Sequence, residues 1–157
     1  MRELHPPCPR MLAYRPPRIA MTLLLAAAAL QFAAPALWPE LPALPAGGLA
    51  VGVLGVGIML RGWWLFRVHA TAICPTATTT SLITNDVYRL TRNPMYLGIV
   101  LMLIGIALAS GSLPCYLATL AFFLIIDVVF CPYEERKLKQ AFGPAYARYC
   151  RSVRRWL

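Results

Sequence analysis

The chain has 157 residues, of which 59% are hydrophobic and only 13% are charged, and its formal net charge is +9. Soluble domains carry about 25% charged residues, so the composition excludes an ordinary water-soluble domain and predicts that the apolar surplus faces lipid. The length suits a single domain, and no basic groove with interleaved aromatic residues indicates a nucleic-acid partner.

Four apolar stretches are predicted to cross the membrane as α-helices. The first covers residues 19–37 and carries no charge, and the second covers residues 44–66 and ends near the Trp63-Trp64 pair. The third, residues 94–109, is short for a hydrocarbon core of ~30 Å, and the fourth covers residues 113–131. We therefore predict an all-α, polytopic membrane protein with about four transmembrane helices, followed by an amphipathic helical tail.

The basic residues predict the orientation of these helices. With four spans, all 15 Lys and Arg residues fall on one side of the membrane, and the connections 38–43 and 110–112 contain none. The positive-inside rule makes that side the cytoplasm, with both termini inside. The predicted organisation is a cytoplasmic N-terminal segment (1–18), a first transmembrane hairpin (19–66) and a catalytic core (67–157). This core contains the second hairpin, residues 94–131.

Cysteine and histidine spacing gives no metal-site pattern. The five cysteines contain no Cys-x-x-Cys pair, and His5 and His69 are the two histidines, so no metal ligand is predicted. Cys115 and Cys131 are expected to pack as small apolar side chains. His69 opens a long cytoplasmic loop, residues 68–91, that is a candidate binding element or lid. His69 itself is read either as a solvated residue or as a base.

Two polar motifs flank the second hairpin. The first is RLTRNPMYLG at residues 89–98, and the second is YEERKL at residues 133–138, followed by FGPAYARY at residues 142–149. Because a hairpin returns to the side from which it entered, both motifs emerge at the same membrane face. Arg92, Asn93 and Tyr96 would then face Glu134 and Glu135. This cluster predicts a site for a small charged molecule.

Purely structural interpretations compete with this one. Asn93 suits the N-cap of the third helix and Pro94 its first position, where the positive helix end favours anions. Glu135 and Lys139 suit an i,i+4 pair on a solvated face. Asp127, inside the fourth apolar stretch, is read either as a structural partner for an arginine or as a site residue.

Small and aromatic residues predict how the helices pack. Gly48 and Gly52 have the spacing that allows close approach of a second helix. Gly98 and Gly105, seven residues apart on the third helix, are expected to pack on the fourth. Three aromatic residues among the basic residues of the tail are expected to lie at the level of the lipid headgroups: Tyr146, Tyr149 and Trp156.

The motifs and the hairpin between them resemble the isoprenylcysteine carboxyl methyltransferase family, together with the related phospholipid-methyltransferase-like membrane proteins. The resemblance covers residues 78–157 and rests on the order and spacing of RNPMYLG at 92–98, the Glu134-Glu135 pair and the run at 142–149. Better-known members have His at the position of Asn93, whereas small prokaryotic members often have Asn. The resemblance implies an integral membrane methyltransferase of a prokaryotic plasma membrane.

The resemblance also implies a cofactor, S-adenosylmethionine, and a set of residues that bind it. That set is Arg92, Asn93, Pro94, Tyr96, Leu97, Glu134 and Glu135, of which Arg92, Asn93, Tyr96 and Glu135 are also the candidate catalytic residues. In this scheme Arg92 or the helix end takes the methionine carboxylate, and the glutamates take the ammonium and ribose. Tyr96 faces the sulfonium or adenine, and Asn93 the adenine end.

The predicted partners are the lipid bilayer and a lipidic or small hydrophobic acceptor with a carboxyl, thiol or amine group. No motif identifies the acceptor or the oligomeric state. Two other functions remain open on the sequence. One is an NADPH-dependent, sterol-reductase-like membrane enzyme with a similar C-terminal hairpin, and the other is a small four-span transporter or scaffold, in which Asp127 would be essential.

Overall fold

The computed structural model describes residues 16–39, 41–68 and 81–157, and within these ranges all regular structure is helical, which confirms the all-α prediction. The five α-helices are α1 (Pro16–Ala33), α2 (Pro45–Val68), α3 (Pro94–Ser110), α4 (Leu113–Ile125) and α5 (Cys131–Ser152). A π-helical turn, Ile126–Phe130, joins α4 to α5 without a break, and short 3-10 turns cover Pro35–Leu37 and Asp86–Arg89. The predicted N-terminal segment up to residue 15, and residues 69–80 with His69, lie outside the described residues.

Three of the described helices are long and apolar enough to cross a membrane: α1, α2 and the continuous helix Leu113–Ser152. The apolar part of this last helix ends near Cys131, before Glu134. α3 is the shorter apolar helix expected from the sequence, with 17 residues that span about 26 Å. It lies in the centre of the helical layer, packed against α2 and α4, and α1 packs on α4.

The packing of α3 on α2 depends on glycines that face each other. A Cβ atom added at Gly48 would lie 2.5 Å from the carbonyl oxygen of Gly105, and one added at Gly55 would lie 2.6 Å from that of Gly98. Gly48 and Gly55 are seven residues apart on α2, and Gly98 and Gly105 are seven residues apart on α3. The two antiparallel helices therefore meet at two points that are two helical turns apart. The expectation that Gly98 and Gly105 pack on the fourth helix is therefore wrong, because the complementary glycines are on α2.

The long helix α4–α5 changes its geometry around two prolines. Pro132 has no N–H to donate to Val128, four residues earlier, and this accounts for the π-helical turn that precedes it. α5 then bends at Gly143, whose φ of 46° and ψ of −118° are not helical, directly before Pro144. The bend directs the last turns of α5 back toward α2 and α3.

The tail that follows Gly143 is part of the core. Tyr146 and Tyr149 are only 4% and 7% exposed, and they pack in a cluster with Leu65, Ile83 and Tyr88. These tyrosines therefore face the protein interior and not the lipid, since the bend turns them inward, and their level relative to the headgroups stays a prediction. Cys115 and Cys131 are buried, which confirms their predicted packing role.

Candidate functional site

A cavity of about 450 Å³ lies where α2 ends and where α3 and α5 begin. Its apolar wall comes mainly from the last turns of α2, with Met59, Leu60, Trp63 and Phe66. Its polar wall comes from the start of α3 and the first turns of α5. The size is within the range of small-molecule sites, which are usually apolar clefts with a few polar groups.

Six of the seven predicted site residues line this cavity: Arg92, Asn93, Pro94, Tyr96, Glu134 and Glu135. The structure therefore brings the two motifs to one cavity, as a hairpin requires. Leu97 is buried and does not line it. The amide of Leu97 donates to the carbonyl oxygen of Asn93 within the first turn of α3, and its contact with a cofactor stays a prediction.

Asn93 stands at the N-cap position of α3, but its side chain makes no capping hydrogen bond. Its Nδ2 donates instead to the carbonyl oxygen of Arg155, at 3.1 Å. The amide N–H of Asn93 donates to the hydroxyl of Thr91, at 3.2 Å. The predicted N-cap position of Asn93 and the predicted place of Pro94 in the first turn are confirmed, but the side-chain amide of Asn93 binds the C-terminal residues and not the helix.

Tyr96 and Glu134 form a direct pair across the hairpin. The hydroxyl of Tyr96 donates to Oε1 of Glu134, at 2.5 Å. Burial raises the pKa of Glu134 to about 7, although the hydrogen bond from Tyr96 and the charge of Lys137 act in the opposite direction. Glu134 is therefore a carboxyl group that can change its protonation near neutral pH.

Glu135 lies between two arginines. Its Oε1 is 3.1 Å from Nη1 of Arg92, and its Oε2 is 2.7 Å from Nη2 of Arg155. The expected surface pair with Lys139 is wrong, because both carboxylate oxygens are occupied by guanidinium groups from other parts of the fold. Because Glu135 binds these two arginines, its interpretation as a residue of a solvated helix face is also excluded.

Arg92 presents a partly satisfied guanidinium group to the cavity. Its Nη1 donates to Sγ of Cys150 at 2.9 Å and lies 3.5 Å from the hydroxyl of Tyr146. Its Nε is buried and has no hydrogen-bond partner within the described part of the chain. A buried donor without a partner is costly, so the hydrogen-bonding capacity of Arg92 is not fully used by the described residues around it.

Asp127 acts as a partner for an arginine, which was one of its two expected roles. Its Oδ1 is 3.0 Å from Nη1 of Arg155 and accepts a hydrogen bond from Nε1 of Trp156 at 2.9 Å. It does not line the cavity. The pairing explains how a carboxylate is tolerated within an apolar stretch.

Sequence reasoning missed several residues of this region. Trp63, Phe66, Tyr88 and Lys137 line the cavity, and Arg155 contacts Glu135. The position of Trp63 near the end of the second span, at the same end of the molecule as the two motifs, is a signal that could have placed it near the site. Arg155 gave no such signal, since basic residues follow one another throughout the tail.

The arrangement combines one arginine, two carboxylates and an apolar wall in a single cavity. A guanidinium group at a cavity wall binds a carboxylate, while carboxylates bind ammonium groups and hydroxyls. Aromatic and aliphatic side chains accommodate the apolar or ring portions of ligands. The cavity is thus suited to a zwitterionic molecule beside a hydrophobic one.

Comparison with known proteins gives matches over most of this region. The phospholipid methyltransferase family matches residues 45–145. An uncharacterized protein of Haemophilus influenzae is 38% identical over 63 residues, which are 40% of this chain and all of that protein. A probable protein-S-isoprenylcysteine O-methyltransferase of rice, Oryza sativa subsp. indica, is 40% identical over 75 residues, as is its counterpart in subsp. japonica.

The match to the rice proteins covers 46% of this chain and 38% of their length. No solved structure matches the chain. The family match, however, covers well over half of the chain and includes α2, α3, α4 and the first turns of α5, together with the predicted site residues. The chain therefore belongs to the phospholipid methyltransferase family and is a membrane methyltransferase.

Proposed function

We propose that this protein transfers a methyl group from S-adenosylmethionine to a lipidic or small hydrophobic acceptor at the cytoplasmic face of the membrane. The observation that carries the proposal is the cavity itself. It joins Arg92, Glu134 and Glu135 to an apolar wall supplied by a membrane helix. One molecule that is charged and one that is apolar can thus meet within a single site.

The residues on the polar wall fit the methyl donor. The guanidinium group of Arg92, which lines the cavity, suits the methionine carboxylate, and Glu134 and Glu135 suit the ammonium group and the ribose hydroxyls. Tyr96 offers a ring face to a cationic or aromatic portion, and Asn93 lies beside it for the adenine end. When bound, S-adenosylmethionine supplies an activated methyl group with a neutral thioether as the leaving group.

The apolar wall fits the acceptor. Met59, Leu60, Trp63 and Phe66 come from the end of α2, a helix long and apolar enough to cross the membrane. A hydrophobic chain that leaves the bilayer would therefore stay in contact with apolar side chains. This supports an acceptor with a hydrophobic portion and a nucleophilic carboxyl, thiol or amine group.

Methyl transfer by direct displacement depends on alignment more than on acid and base groups. With an anionic nucleophile, the charges of the two reactants cancel in the transition state, so a water-poor cavity favours the reaction. An amine acceptor would need to lose a proton. Glu134 suits that task, since its pKa is raised by burial to about 7.

The test is ligand-dependent stabilisation of the detergent-purified protein with S-adenosylmethionine, S-adenosylhomocysteine or NADPH. A ligand that binds the folded state raises Tm by mass action. We expect both adenosyl compounds to raise Tm, and Glu135→Gln to weaken binding so that the shift at the same ligand concentration becomes much smaller. Asp86→Asn is the matched control, because it neutralises a carboxylate that pairs with Arg61 outside the cavity.

Each alternative has its own outcome in this experiment. A shift with NADPH alone would favour the reductase. No shift in protein that is shown to be folded would favour a transporter or scaffold. If the adenosyl compounds bind, methylation of membrane extracts with a labelled donor would then identify the acceptor.

A further inference from the structure

The last five residues of the chain run back from α5 to the start of α3. α5 ends at Ser152, and Val153 has an extended backbone and is buried. Residues 153–157, called here the C-terminal strap, follow residue 145, where the family match ends. They lie against residues 91–93, which carry two of the proposed site residues.

The backbone of the strap binds the segment that begins α3. The amide of Arg92 donates to the carbonyl oxygen of Arg154, at 3.0 Å. The hydroxyl of Thr91 and Nδ2 of Asn93 both donate to the carbonyl oxygen of Arg155, at 2.9 and 3.1 Å. Three consecutive residues are therefore held by two carbonyl groups of the strap.

The side chain of Arg155 binds two carboxylates. Its Nε and Nη2 donate to Oε1 and Oε2 of Glu135, at 2.9 and 2.7 Å, and its Nη1 lies 3.0 Å from Oδ1 of Asp127. Such a bidentate contact fixes the plane and direction of the carboxylate. Because Oε1 of Glu135 also contacts Arg92, the four side chains form a row of alternating charge.

Trp156 anchors the strap to α4. Its Nε1 donates to Asp127, at 2.9 Å, and its ring centroid is 4.9 Å from that of Phe123. The strap is thus attached to the start of α3 by its backbone, and its side chains bind Phe123 of α4, Asp127 of the π-helical turn and Glu135 of α5. Arg155 itself does not line the cavity.

We infer that Arg155 is a positioning residue, which holds Glu135 and through it Arg92 in the arrangement that binds the methyl donor. This inference rests on the proposed function. Without Arg155, the carboxylate of Glu135 would have Arg92 as its remaining arginine partner and would draw that guanidinium group away from the carboxylate of the donor. The strap therefore belongs to the active site although it contacts no substrate.

The experiment measures the Kd for S-adenosylmethionine in detergent-purified Arg155→Met. Displacement of Arg92 weakens its charge-assisted hydrogen bond to the donor carboxylate, so we expect Kd to rise roughly ten- to hundredfold. Arg154→Met is the matched control, because it removes an exposed charge one residue away. Its Kd should stay within about twofold of that of the unmodified protein.

A double-mutant cycle distinguishes positioning from general loss of structure. If Arg155 acts through Glu135, Arg155→Met should add little to the effect of Glu135→Gln. If the role of Arg155 is only structural, the two penalties multiply, which would overturn the inference. Arg155→Lys keeps the charge without the bidentate geometry, so it should recover only part of the affinity, and it replaces Arg155→Met if that variant does not fold.

A second measurement does not depend on the ligand. Hydrogen exchange of the Arg92 amide, which the strap protects, should accelerate in Arg155→Met and stay unchanged in Arg154→Met. If the unmodified protein does not bind S-adenosylmethionine, the proposed function fails. The exchange rate of the Arg92 amide then still tests whether Arg155 holds the start of α3 in place. Equal affinity or equal exchange in Arg155→Met and the unmodified protein would overturn the inference.

Discussion

Glu134 combines a carboxyl group, a partly buried position at the cavity wall and a tyrosine donor. Burial raises its pKa to about 7, and the hydroxyl of Tyr96 partly offsets this by bonding to the carboxylate. In the unliganded fold the group binds its proton more tightly than in the unfolded chain, where its pKa is about 4.3. This residue therefore makes the folded state less stable as pH rises from about 4.3 to about 7.

The same titration predicts how donor binding depends on pH. A cationic donor interacts with Glu134 when the carboxyl group has lost its proton, so the Kd for S-adenosylmethionine should fall as pH rises from 6 to 8. Isothermal titration calorimetry at fixed ionic strength measures this change. We expect a several-fold decrease in Kd. If donor binding lowers the pKa of Glu134 by one unit, Kd can change by up to about tenfold over the titration.

Two variants test whether this pH dependence belongs to Glu134. Glu134→Gln has no titrating group and should bind with a Kd that is nearly constant over the range. Tyr96→Phe removes a hydrogen bond that lowers the pKa of Glu134, so the midpoint should move to higher pH. A pH dependence that persists in Glu134→Gln would assign the titration to another group.

Among the elements, α2 and α3 form the closest contact, and glycine makes it possible. Without side chains at Gly48, Gly55, Gly98 and Gly105, the two backbones approach to a distance at which an added Cβ would overlap a carbonyl group. This contact sets the position of the end of α2 relative to the start of α3. The apolar wall of the cavity is thereby held opposite Arg92 and Tyr96.

The glycine contact predicts a difference between two neighbouring substitutions. Gly55→Ala would place a Cβ 2.6 Å from the carbonyl oxygen of Gly98, and such overpacking typically costs about 1–3 kcal/mol. Gly57→Ala meets no atom within 4 Å and should be neutral or stabilising by up to about 1 kcal/mol, as expected for alanine in a helix. Thermal unfolding in detergent compares the two, and equal effects would contradict the packing described.

At the scale of the whole molecule, the described charged residues gather at one end. The start of α1, the end of α2, the start of α3 and all of α5 lie at the end that carries the cavity. The opposite end contains the connections around Trp38 and Gly111, which have no basic residue. Helices that alternate in direction thus leave every described Lys and Arg on the side of the cavity.

The charge distribution predicts the orientation that the protein takes when it is expressed in a bacterium. The end with the cavity should face the cytoplasm. Green fluorescent protein fused after Leu157 should therefore fluoresce, whereas alkaline phosphatase at the same position should be inactive. Active phosphatase and dark fluorescent protein would place the site on the outer face and would contradict the proposed location of the reaction.

The sequence by itself determined the helices and the identity of the cavity-lining motif residues. Apolar stretches of this length can satisfy their backbone groups in lipid only as helices, so composition alone predicts α1 to α4. A hairpin brings its two ends together whatever its internal packing. For that reason the sequence is enough to place Arg92, Asn93 and Tyr96 opposite Glu134 and Glu135.

The tertiary structure alone decided the partners of these residues. The bend at Gly143 and the extended backbone at Val153 turn the tail inward, and neither direction can be read from hydrophobic periodicity. Arg155 consequently binds Glu135 and Asp127, and Tyr146 and Tyr149 become core residues. Local pattern specifies which segments are helical, whereas the pairing of groups far apart in the chain depends on how those helices pack.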